Sequence, residues 1–74
     1  MKMHARLLYL EREGFEVAAI AGYHDRQGPH NARISYFEKE MDGNTRLRTE
    51  HFHVTAEEME RCCHIFFERF IPKS

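Results

Sequence analysis

The sequence is short of the means to cross-link itself. Its two cysteines, Cys62 and Cys63, are adjacent, and neighbours on a helix point about 100° apart and do not bridge one another. A disulfide framework is therefore excluded, and the run "RCCH" lacks the C-x-x-C spacing of a zinc ribbon or a thioredoxin-like site. Charge of one sign is lacking too. Eleven basic and twelve acidic residues leave a formal net charge of −1, so no strong field favours a polyanion or a polycation as partner. No apolar run approaches the roughly 18 residues of a membrane span, and no signal peptide is visible, so the chain is expected to be cytoplasmic. The four glycines sit at turn or strand-end positions and build no phosphate-binding loop.

What is present is a globular composition, with 42% hydrophobic and 31% charged residues in 74 positions that begin at a methionine. The expectation is one complete small domain, residues 1–74. A domain of this size buries only roughly 60–65% of the surface of its unfolded chain, so a metal or a partner subunit would add needed stability.

The loop "HDRQGPHN", His24 to Asn31, divides the chain. After it, "ARISYFEKEMDGNTRLRTEHFHV" reads as a β-hairpin. A three-residue loop, Asp42-Gly43-Asn44, pairs Met41 with Thr45. It sets Glu40 against Arg46 and Glu38 against Arg48, with Ile34 facing Phe52, Ala32 facing Val54 and Arg33 facing His53. That register asks Asn44 to adopt a left-handed conformation. A helix follows. Thr55 and Glu58 have the spacing of a capping box, Val54 and Met59 that of a hydrophobic staple, and Pro72 stops it. Met59, Cys62, Cys63, Phe66 and Phe70 recur at helical spacing as its buried stripe.

Before the loop, "ARLLYLEREGFEVAAIAGYH" has two readings. As a hairpin turning at Arg12-Glu13-Gly14, it sets Met3, Ala5, Leu7 and Tyr9 opposite Tyr23, Ala21, Ala19 and Val17 on one apolar face. As a helix over residues 2–13, it ends with Gly14 at C′ and Phe15 after it, and its Ala, Leu, Arg and Glu favour this on propensity. The regular apolar face favours the hairpin. The expected fold is thus α+β: a four-stranded antiparallel sheet of two consecutive hairpins (strands about 3–11, 15–23, 32–41 and 45–54), with one C-terminal helix, about 55–70, on one face. The alternative is α-β-β-β-α.

In the four-stranded arrangement Leu8, Leu10, Ala18 and Ile20 lie on the far side of the sheet, and Ile65 and Phe67 lie off the helix stripe. One helix cannot cover them all, which points to a homodimer. Leu8, Leu10, Ile20, Phe37, His51, His53, Ile65 and Phe67 are the expected dimer or partner contacts.

Catalytic chemistry finds little support. Cys62 and Cys63 fall mid-helix on the apolar stripe, where burial opposes a reactive thiolate, and Glu57, Glu58, Glu60 and Glu68 read as capping and solvated helix face. No catalytic residue and no cofactor is expected. Among six histidines, His51 and His53 share one strand face and are weak candidates for metal ligands, opposed by Arg33 on the same face. His24, Asp25 and His30 lie in the loop that could approach them. For nucleic acid, a patch would need Arg6, Arg26, Arg33 or Lys39 to converge with Tyr9, Tyr23, Tyr36 or Phe37 for base stacking. Four strands followed by a helix, with "HVTAEEM" entering the helix, resembles the single-stranded-DNA-binding transcriptional coactivator fold, a dimer of sheet-plus-helix units. The resemblance is one of element order, and that family's basic balance is missing here. It implies single-stranded nucleic-acid binding as the alternative function. The leading expectation is a non-enzymatic protein-interaction module that binds and modulates a larger protein of unknown identity, as inhibitors carried by phage and mobile elements do.

Overall fold

The segment expected to be the first strand is a helix. The computed structural model describes residues 2–22 and 30–72, and in it α1 spans Met3–Arg12. Met3, Leu7 and Leu10 are fully buried, a spacing of four and then three that only a helix puts on one side. Gly14, at φ 82°, ends it. Phe15 N–H donates to the Leu10 carbonyl (2.9 Å) and Gly14 N–H to that of Glu11 (3.0 Å), the two bonds of a Schellman motif.

The four-stranded sheet is therefore corrected. Three strands follow α1: β1 (Glu16–Gly22), β2 (His30–Lys39) and β3 (Thr45–Val54), then α2 (Ala56–Arg69). They form an antiparallel sheet in the order β1-β2-β3, and the architecture is α-β-β-β-α. The likeness to the coactivator fold goes with the correction, because it rested on four strands preceding the helix. No helix among the described residues is long and apolar enough to cross a membrane.

The β2–β3 register also differs, by two residues. Ala32 faces Phe52, Ile34 faces Glu50, Arg33 faces His51 and Lys39 faces Thr45. The loop starts one residue earlier than expected: Gly43 N–H donates to the Glu40 carbonyl (3.0 Å) and Glu40 N–H to that of Asn44 (2.7 Å). Gly43, at φ 89°, takes the left-handed position, and Asn44 does not. Glycine occupies that region without a Cβ penalty. Asp42 Oδ1 accepts from Asn44 N–H at 2.9 Å and completes the turn. The expected ion pairs still form, now diagonally, with Arg46–Glu40 at 2.8 Å and Arg48–Glu38 at 3.3 Å.

In β1 the ladder shifts register between Val17 and Ala19. This bulge at Ala18 brings Val17 and Ile20 to the same side of the sheet although they are three residues apart. Ile20 thereby packs into the core rather than onto the far side. Gly22, at the end of β1, lies under α2: a Cβ there would stand 2.9 Å from Met59 Sδ.

Both helices cover one face of the sheet. Val17, Ala32, Ile34, Tyr36 and Val54 from the strands meet Met3, Leu7, Leu10 and Cys62 from the helices in one cluster, each large apolar side chain contributing about 1.5–3 kcal/mol. Thr55 caps α2, its Oγ1 accepting from Glu58 N–H at 3.1 Å. The Glu58 carboxylate reaches across to α1, accepting from His4 N–H at 3.2 Å and from the His4 ring, with Nδ1 2.7 Å from Oε1. It thus caps α1, whose own N-cap residue, Lys2, supplies no side-chain bond. At the far ends Arg69 pairs with Glu11 at 2.8 Å. Start is tied to start and end to end, so the helices run parallel.

Candidate interaction surfaces

With both helices on one side, the described residues leave the other face of the sheet uncovered. The register lays it out in rows: Glu16, Phe37 and Leu47; Ala19, Ser35 and Thr49; Ala21, Arg33 and His51; then Asn31 beside His53. Ser35 and Thr49 hydroxyls bond across the strands at 3.2 Å. Phe37 is 37% exposed and its cross-strand neighbour Leu47 54%, so two large apolar side chains lie side by side in water. The expected contacts Phe37, His51 and His53 share this face. The others do not: Leu10 is fully buried, Ile20 and Ile65 pack against the core, and Leu8 and Phe67 are exposed on the helices. Leu47 was not anticipated, although in "TRLRTEH" it alternates with Arg46 and Arg48 and stands out as apolar.

The covered face holds a polar network. Arg6 Nε and Nη2 donate to the two Glu50 oxygens at 2.9 and 2.8 Å, and Tyr36 Oη donates to the same carboxylate at 2.6 Å. The Arg6 fork holds Glu50 below the usual carboxylate range, against burial and with help from Tyr36. The Glu50 carboxylate beside it, and then burial, push Tyr36 above the usual phenol value. Arg6 also stacks 4.8 Å from the Tyr9 ring centre. Two of the nucleic-acid candidates, Arg6 and Tyr36, are thus engaged here on the opposite face from Arg33 and Lys39, and Arg26 lies outside the described residues. Glu50 was not singled out in the sequence; an acid at a core-facing position before Phe52 and Val54 was the signal that it needed a buried partner.

For Glu58, burial pushes the carboxyl up, but the His4 ring and N–H, with the charges of His4 and Lys2, outweigh it and leave the group below its ordinary value. Cys62 is buried, and burial, followed by the nearby Glu58 and Cys63, pushes its thiol up to about 12. We expect Cys63, which is half-buried, to be alkylated by iodoacetamide at pH 8 well before Cys62; mass spectrometry of partly labelled protein checks this, and faster labelling of Cys62 would contradict it.

Among the described residues no three His, Cys, Asp or Glu side chains converge. The expected approach of His24 and Asp25 lies outside the described residues. His51 and His53 do share a face, and Arg33 sits directly beside His51.

A cleft of about 810 Å³, open along one side, lies where the starts of both helices meet the last residues of β3. Lys2, His51, His53, Glu57 and Arg61 line its polar parts, and Met3, Phe52 and Val54 its apolar parts. It runs along the outer edge of β3, a strand that among the described residues pairs only with β2.

No protein-family model matches this chain, and neither a curated protein nor a solved structure matches it.

Proposed function

We propose that this protein is a non-enzymatic, cytoplasmic interaction module that forms a homodimer through the uncovered face of its sheet and binds and modulates a larger protein partner. The observation that carries the reading is the exposed Phe37–Leu47 pair on that face. A small domain gains from covering such a pair. Glu16 and Lys39 flank Phe37 across and along the strands, so a two-fold contact can set opposite charges at its rim. A non-catalytic role is supported by the carboxylates that hold structural pairs, Glu11, Glu50 and Glu58 among them, and by the buried, high-pKa thiol of Cys62.

Leu47→Glu is the test. Leu47 touches no core element, so the variant is expected to keep its circular dichroism spectrum and to sediment as a monomer where the unaltered chain sediments as a dimer, with an affinity loss of at least about a hundredfold from burying an unpaired charge. A wild-type chain that sediments as a monomer at high micromolar concentration would overturn the dimer.

A further inference from the structure

We infer that the β3 edge, above the cleft, docks an extended acidic segment of the protein partner by strand addition. The inference rests on the interaction-module reading and names the chemistry of what is bound.

The two edges of the sheet are not equivalent. β1 is blunted by its bulge at Ala18, a common way of making an edge unfit for pairing. β3 pairs with β2 without a break from Thr45 to Val54, so its outer side presents a regular row of N–H and C=O groups. Such a row accepts another strand.

Charge selects the occupant. Among the described residues Arg6, Arg12, Arg46, Arg48 and Arg69 each hold a carboxylate within 4.0 Å. Arg33 and Arg61 pair with no described carboxylate, but Arg33 stands on the central strand β2, with His51 between it and the edge, whereas Arg61 stands in the cleft beside the edge with Lys2. Glu58 is taken by His4, which leaves Glu57 as the remaining acid of the cleft. On the side it turns to the cleft, an incoming strand would therefore meet two cations, Lys2 and Arg61, against one remaining described carboxylate. A second copy of β3 fits poorly, because its one acid, Glu50, is already held by Arg6 and offers nothing to these cations. Nucleic acid would leave the backbone row unused and would approach a chain of net charge −1.

The probe is an end-blocked alternating Glu-Val octapeptide carrying a fluorophore, titrated with the full-length chain and followed by anisotropy. Binding is expected, falling as salt rises. The Gln-Val peptide and a Glu-Val peptide N-methylated on alternate residues are each expected to bind more weakly. Lys2→Glu combined with Arg61→Glu, both at exposed positions, is expected to cost at least about tenfold in affinity. Absence of Glu-Val binding, binding indifferent to N-methylation or to the double charge reversal, or tighter binding of a single-stranded oligonucleotide would each overturn the inference. Sedimentation of the same samples reports the dimer separately: a dimer that ignores the peptide sinks the strand addition alone, and a monomer that binds it sinks the dimer alone.

Discussion

Leu10→Ala is expected to lower the unfolding free energy by about 3 kcal/mol, and Leu8→Ala by less than about 1 kcal/mol. Leu10 is fully buried whereas Leu8 is 36% exposed. Leu10 also accepts the hydrogen bond from Phe15 that closes the end of α1, and Phe15 packs against the same core. Truncating Leu10 therefore leaves a cavity under the cap as well as in the core. A chain of 74 residues has a total stability of roughly 4–11 kcal/mol, so the loss is a large share of it. Urea denaturation of the two variants measures the difference. On a strand, positions 8 and 10 share one face and the two substitutions would cost alike, so equal costs would contradict the helical burial of Leu10.

The same pair of leucines shows why the first element was hard to read. Residues 3, 5, 7 and 9 alternate as a strand does, while 3, 7 and 10 follow a helix, and both patterns are apolar. Helix propensity and the Gly14–Phe15 signal pointed the right way, and the alternation outweighed them. α2 is legible because its evidence is local: the Thr55 cap on Glu58 N–H forms as spaced, although the Glu58 carboxylate turns to His4 and does not close the expected capping box. The hairpin was legible as a hairpin but not in register. Opposite charges satisfied directly in one register are satisfied diagonally in the other, so charge could not separate them; the demand of Gly43 for the left-handed position decides. The bulge at Ala18 left no mark in the sequence, and it alone moves Ile20 from the uncovered face to the core. On the candidate surface, Phe37, His51 and His53 were readable from alternation. The Arg6–Glu50 pair was not, since its members are 44 positions apart and meet only once α1 is a helix lying on the sheet.

That pair carries the second large effect. Glu50→Ala is expected to cost about 2–4 kcal/mol, because it strips the Arg6 guanidinium and the Tyr36 hydroxyl of their common acceptor in a partly buried place. Replacing the whole network, with Arg6→Met, Glu50→Leu and Tyr36→Phe together, is expected to recover most of the loss, since no polar group is then left unpaired. Failure of the triple variant to recover would mean that the network positions α1 by more than its own pairing. The pH dependence separates the contributions further. Glu50 and Glu58 are held below the ordinary carboxylate range in the folded chain. Their contribution is complete above about pH 5 and declines as pH falls through their folded values. Tyr36 is raised, so the folded chain holds its proton more tightly than the unfolded one. Its contribution is complete below about pH 9 and declines as pH rises past the ordinary phenol value near 10. Thermal melting from pH 2 to pH 11 should therefore fall at both ends. Tyr36→Phe should lessen the alkaline fall, leaving the part set by the buried, raised thiol of Cys62, and should leave the acid one in place, because the Arg6 fork and the His4 contacts still lower the two carboxyls. An alkaline fall unchanged in Tyr36→Phe would assign it to another group and would remove the Tyr36–Glu50 bond from the forces that set α1 on the sheet.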